Sequence, residues 1–175
     1  KVDVRFKYFS SKGGNDKLAF KKRALDSGIK NAQFDRLLFT DVDCIIQYLW
    51  VESMMLDYTD ETDYLIGYSE TTDTTTSASA FQKTDFVCIL SAARGRVHNK
   101  SAWACSGQNQ GYRKSLYNSV GGFTKIADQL QGDDSLFLLL CRKVKTINVN
   151  FATSPGSFVI SRSELTWSTF FMQRI

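Results

Sequence analysis

The chain has 175 residues, 43% of them hydrophobic, enough to bury a proper core and most simply read as one domain. Its formal charge is only +4, with short basic clusters at Lys21-Lys22-Arg23 and Arg142-Lys143-Val144-Lys145, which argues against a dedicated nucleic-acid binder. Cys44, Cys88, Cys105 and Cys141 form no C-x-x-C pair and His98 is the single histidine, which argues against a zinc site and for four reduced, mostly buried thiols, and no apolar run reaches the length of a membrane span.

Val2, Val4, Phe6 and Tyr8 alternate with charged residues, the pattern of a half-buried strand. Ser11 to Asn15 breaks it. From Asp16, read as an N-cap, Leu18, Leu25, Ile29 and Ala32 recur at helical spacing, with Lys21, Lys22, Lys30 and Asp26 on the other faces. Arg36 to Thr40 then reads as a strand buried on both faces, completing a right-handed βαβ unit with parallel neighbours. That strand closes in Thr40-Asp41-Val42-Asp43. Ligands of open α/β sheets collect beyond the carboxyl ends of the strands, and in an extended chain Asp41 and Asp43 share a face. Two carboxylates there offer hard oxygen ligands to Mg²⁺ or Mn²⁺, ions usually completed by substrate phosphates. The same acids also suit a turn or a helix cap.

Gln47 to Tyr58 carries a mixed helical pattern that includes Trp50, Tyr64 to Tyr68 reads as a strand, and Glu70 to Thr76 as a loop. A helix from Ser77 or Ser79 to about Arg94 is expected to stop at Gly95, and His98 beyond it is assigned no role. Trp103 to Lys114 reads as a short strand, a glycine-permitted bend and a second extended piece. Its amides and aromatics suit sugar hydroxyls, and equally a hairpin with polar edges. Gly132-Asp133-Asp134-Ser135 opens an apolar stretch, Leu136 to Cys141, long enough for a buried helix. Acids favour that end of the helix dipole. Because adjacent helical residues point in different directions, at most one of the pair aims into a site while the other caps. Thr146 to Phe151 and Ser157 to Ile160 read as strands, and Thr166 to Ile175 begins a helix. This order predicts an α/β fold, a mixed, mostly parallel sheet with helices on both faces.

Taken together and in this order, the segments resemble the family-2 glycosyltransferases of the GT-A fold, particularly their bacterial processive or membrane-associated branch. The resemblance is carried by the helix Lys21-Lys22-Arg23-Ala24-Leu25-Asp26-Ser27-Gly28-Ile29, by Thr40-Asp41-Val42-Asp43 and by Trp50 in the next helix. It continues through Gly107-Gln108-Asn109-Gln110-Gly111-Tyr112-Arg113-Lys114, Val120-Gly121-Gly122-Phe123 and Gly132-Asp133-Asp134 to Gln173, where a Q-x-x-R-W motif begins. It spans Lys17 to Ile175. Phe20 stands where the family often has a glycine before the helix lysine.

What the resemblance implies is a Rossmann-like catalytic domain without the family's opening strand-helix unit and without the end of Q-x-x-R-W. It implies inverting transfer of a sugar from a nucleotide-diphosphate donor, such as a UDP-sugar, to a glycan or lipid-linked acceptor. Asp43 becomes the metal-proximal acid, Asp41 lies nearer the ribose and metal, and Lys21 lies on the donor side, with Mn²⁺ or Mg²⁺ as cofactor. Asp134 becomes the base and Asp133 its helix-capping neighbour. Asn109, Tyr112, Arg113, Asp133 and Gln173 fall on the acceptor side. A cytoplasmic location follows, at the membrane face where segments outside this chain anchor it. The alternative is a degenerate module that holds nucleotide sugar or glycan without turnover.

Overall fold

The computed structural model describes residues 6–72, 74–129 and 131–174, with side chains as far as residue 172. Its strands form two mixed sheets. The larger contains β1 (Arg36–Phe39), β3 (Tyr64–Ile66), β5 (Gln110–Arg113) and β6 (Val149–Phe151); the smaller contains β2 (Ile45–Ile46), β4 (Ser69–Thr71) and β7 (Val159–Ser161). Between and around them lie α1 (Phe20–Asn31), α2 (Trp50–Asp57), α3 (Ser77–Val97), α4 (Lys114–Val120), α5 (Ser135–Val144) and α6 (Trp167–Arg174).

The larger sheet has the order β1-β5-β3-β6, and the smaller β2-β7-β4. β5 runs antiparallel to both its neighbours and β2 antiparallel to β7, while β3 with β6 and β4 with β7 are parallel. The architecture is therefore α/β, but the sheets are not mostly parallel. The cause is local: the Ser106–Asn109 bridge turns the chain back on itself and feeds β5 in between β1 and β3. Gly111 makes that insertion feasible, since a Cβ there would stand 2.9 Å from the Leu37 carbonyl oxygen.

β1 lies at the sheet edge and is only half-buried, contrary to the expectation of burial on both faces. The doubly covered strand is β3. Tyr64 and Ile66 point into a core with Ile29, Leu90, Tyr117 and Phe137, from α1, α3, α4 and α5. Leu65, one residue out of phase, packs with Trp50, Met54 and Tyr58 of the α2 segment. Helices thus cover both faces. Burying side chains of this size stabilises the fold by about 1.5–3 kcal/mol each.

Several boundaries differ from the sequence-based expectation. Of the opening strand, Val2 and Val4 lie outside the described residues, and Phe6 to Ser10 have no regular structure, so the βαβ unit is not formed among the described residues. α1 starts at Phe20, and Asp16 instead pairs with Arg23. Lys22 and Asp26 are buried rather than solvated. Lys22 donates to the carbonyls of Ile126, at 2.8 Å, and Gln129; Asp26 accepts from the Asn15 amide at 2.7 Å and the Tyr117 hydroxyl at 2.8 Å. Such bonds are what make buried charge tolerable. β4 overlaps the start of the expected loop, and its Ser69 and Thr71 are buried. α3 runs through Gly95 to Val97, and its start is fixed by a capping box between Thr76 and Ser79. No helix among the described residues is long and apolar enough to cross a membrane.

Candidate functional site

A cavity of about 600 Å³ opens where α1, the end of β1, the loop before β5, the start of α5 and the end of β7 meet. Lys21, Asp41, Gly107, Asp133, Asp134 and Arg162 all line it. Lys21 enters from the first turn of α1, immediately after Phe20, whose φ of +48° places it in the left-handed region. Its ammonium stands 2.7 Å from Asp41 and 3.1 Å from Asp133.

The acids are held by three local devices. Gly132 adopts φ +102°, a conformation in which a side chain would also collide with Leu136. Ser135 donates its hydroxyl to the Cys105 carbonyl at 3.0 Å and accepts the Cys105 amide at 3.1 Å, tying the start of α5 to the loop before β5. Gln110, buried in β5, donates to the Asp133 carbonyl at 3.3 Å. Asp134 is the N-cap of α5: it accepts the Ser135 amide at 2.6 Å and the Gly107 amide at 3.3 Å. Capping therefore falls to Asp134 rather than Asp133, and Asp133 is the acid engaged with Lys21. The groups converge on Gly107, where a Cβ would lie 3.1 Å from Lys21 Nζ, 3.3 Å from Asp133 Oδ2 and 3.7 Å from Asp134 Oδ2.

Burial pushes the Asp134 carboxyl above the usual carboxylate range; Asp133 adds to this, while the Ser135 and Gly107 amides and Lys21 offset only part of it. For Lys21, burial pulls the ammonium down, but its hydrogen bond to Asp41 and the nearby charge of Asp133 outweigh that, so the net shift is upward.

Asp41 and Asp43 do not share a face. The chain turns, with the Cys44 amide bonded to the Asp41 carbonyl at 3.2 Å, so Asp41 lines the large cavity while exposed Asp43 lines an adjoining one of about 290 Å³. Ser161 and Arg162 line both. Among the described residues no three His, Cys, Asp or Glu side chains form a ready cage for a metal. An ion of the Mg²⁺ type needs only one or two protein carboxylates, and Asp41 and Asp43 are the candidates for that role. Asp43 offers a carboxylate without an ion pair among the described residues, and Asp41 one that Lys21 must release.

The residues assigned to the acceptor separate. Asn109 is buried, accepting from Trp50 Nε1 at 3.2 Å and donating to the carbonyls of Tyr68 and Ser157, each at 2.8 Å. Tyr112 is fully buried among Phe39, Tyr64, Tyr117 and Phe137, and its hydroxyl has no partner among the described residues. Arg113 clasps the 59–63 loop through the carbonyls of Thr62, at 2.9 Å, and Asp60, and pairs with Asp35 at 3.0 Å. None of these three lines the cavity. The Gln173 side chain lies outside the described residues. Arg162 is the residue that sequence reading passed over. Its signal was its place, directly beyond the carboxyl end of a strand, and it carries no ion pair among the described residues. The chain matches no family model and no curated protein.

Proposed function

We propose that the chain is a glycosyl-transfer domain of the family-2, GT-A kind, moving a sugar with inversion from a nucleotide-diphosphate donor to an acceptor hydroxyl. The observation that carries this reading is the meeting of Lys21, Asp41, Asp133 and Asp134 in the cavity of about 600 Å³, from three separate parts of the chain. Asp134 is the base. Its carboxyl is raised toward the range where a carboxylate both ionises and accepts a proton effectively, and such a base contributes about 10²–10⁴-fold. The acceptor oxygen bonds to the anomeric carbon as its proton passes to Asp134, and the bond from that carbon to the diphosphate breaks with its electron pair leaving on the diphosphate. Lys21 and Arg162 supply positive charge beside the leaving group. A divalent ion would be held by Asp43, or by Asp41 once Lys21 releases it, and would add to that stabilisation.

A second reading is a binding module without turnover. It is favoured by one arrangement: Asp41 is held by Lys21, and Asp134 already accepts two backbone amides. Calorimetric titration of UDP with and without Mn²⁺, on the chain and on Asp43→Ala, tests donor binding; a transfer assay on Asp134→Asn tests chemistry. Transfer at a near-normal rate in both variants would overturn the first reading. Tight UDP binding with no transfer to any acceptor would establish the second.

A further inference from the structure

A second chamber, of about 290 Å³, lies against the same carboxylate. Its walls are Phe86, Ile89 and Leu90 of α3 and Trp103, Ala104 and Cys105 of the following loop. Asp134, Ser106 and Phe86 line both this chamber and the large cavity, so the two adjoin at the proposed base. Lys21, Asp41 and Arg162 line only the large cavity. The two sides of Asp134 therefore differ: the large cavity carries the charged groups, while the chamber, apart from Asp134, Ser106 and Ser135, is lined by apolar side chains and the Cys105 thiol. Trp103 lines the chamber and keeps 45% of its surface exposed. The space is what roughly ten water molecules occupy in the liquid.

We propose that this chamber seats the hydrocarbon body of the acceptor, so that the preferred acceptor is a hydroxyl carried on a lipid or lipid-linked sugar rather than on a free hydrophilic glycan. The inference rests on the transfer reading above, because it takes Asp134 as the group that receives the acceptor proton. A hydrophilic glycan would leave its hydroxyls facing Phe86, Ile89 and Leu90 without partners, which costs binding. An alkyl body removes that mismatch and covers the exposed indole. The acceptor oxygen then lies at the junction, bonding to the anomeric carbon as its proton passes to Asp134 and the diphosphate leaves with the bonding pair.

The test is calorimetric titration of n-octyl β-glucoside, below its micelle concentration, and of methyl β-glucoside into the full chain with UDP and Mn²⁺ present. The octyl compound is expected to bind at least about tenfold more tightly, the contribution of about two buried methylenes. Trp103→Ala and, separately, Ile89→Glu are expected to bring the two glucosides within about threefold of each other, with UDP affinity unchanged. Equal affinity in the unaltered chain, or an octyl advantage that survives both variants, would overturn the proposal. Absence of UDP binding would sink the transfer reading instead, and the comparison of glucosides would still decide whether the chamber takes an alkyl body.

Discussion

Asp134 accepts the backbone amide of Gly107 at 3.3 Å, so the proposed base is also the tie between the start of α5 and the loop before β5. Asparagine retains an acceptor oxygen and caps helices as well as aspartate does. Asp134→Asn is therefore expected to fold normally while transfer falls about 10²–10⁴-fold. The sign of the pH effect follows from the raised carboxyl. Its native pKa lies above the unfolded value near 3.9, so stability is lost as pH rises through the native pKa. Thermal melts should show Asp134→Asn at least as stable as the unaltered chain at neutral pH, and the acid limb of the transfer rate should lie above the ordinary carboxylate range. A variant much less stable at pH 7 would contradict this.

Lys21 and Arg162 are the cations of the large cavity, and Lys21 is engaged with Asp41 and Asp133. Lys21→Met and Arg162→Gln should each weaken UDP binding by about tenfold or more, from the loss of one charge-assisted hydrogen bond. Calorimetry that finds unchanged affinity in both would remove the diphosphate from this cavity.

Phe20 carries φ +48° and is 76% exposed, so it bears backbone strain while contributing little burial. Left-handed backbone costs a non-glycine residue about 1–2 kcal/mol. Phe20→Gly should raise the melting temperature by about 2–4 °C for each kcal/mol recovered. A lower melting temperature would show that Phe20 is held by contacts worth more than the strain.

Tyr112 buries a hydroxyl with no partner among the described residues, and an unsatisfied buried polar group costs about 1–3 kcal/mol. Tyr112→Phe should accordingly be neutral or stabilising in denaturant titrations and should leave glucoside binding unchanged. Loss of acceptor affinity would return Tyr112 to the site.

Asp26 is buried with Lys30 at 2.8 Å. Burial alone would raise its carboxyl; the hydrogen bond to Lys30, the Asn15 amide and the Tyr117 hydroxyl outweigh that and hold it below the ordinary value. A depressed native pKa stabilises above the unfolded value near 3.9 and is lost as pH falls through the native pKa. Asp26→Asn should thus be less stable by about 1–3 kcal/mol at pH 7, and the gap should close as the pH drops below about 4. A gap independent of pH would mean that packing, not charge, sets the cost.

What local pattern can report, the sequence reported. α2, α3, α5, β3, β6 and β7 arise where apolar periodicity or capping chemistry marked them, within a few residues. The resemblance puts Lys21 and Asp41 on the donor side and Asp133 on the acceptor side; that the three meet is seen only in the structure, because no spacing rule joins residues so far apart in the chain. β4 was missed since Ser69-Glu70-Thr71 has no apolar alternation; two of its polar side chains are buried. Lys22 and Asp26 read as a solvated face because charge normally stays in water, and their burial depends on carbonyls and an amide contributed from elsewhere. Whether β1 is central or at the edge depends on which strand pairs with it, and β5 is more than 70 residues away.

Asn109 joins three parts of the fold with one amide: Trp50 in α2, Tyr68 between β3 and β4, and Ser157 just before β7. The two sheets consequently cannot separate by losing one bond at a time. Splitting them means abandoning all three contacts together, inside a buried space where water is slow to replace them. Arg162, directly beyond β7, and Gly107, two residues before Asn109, both lie close in sequence to this junction. Hydrogen exchange at the Gly67 and Val159 amides, one bonded to the Asn109 carbonyl and the other to the Tyr68 carbonyl, should then slow and quicken in step.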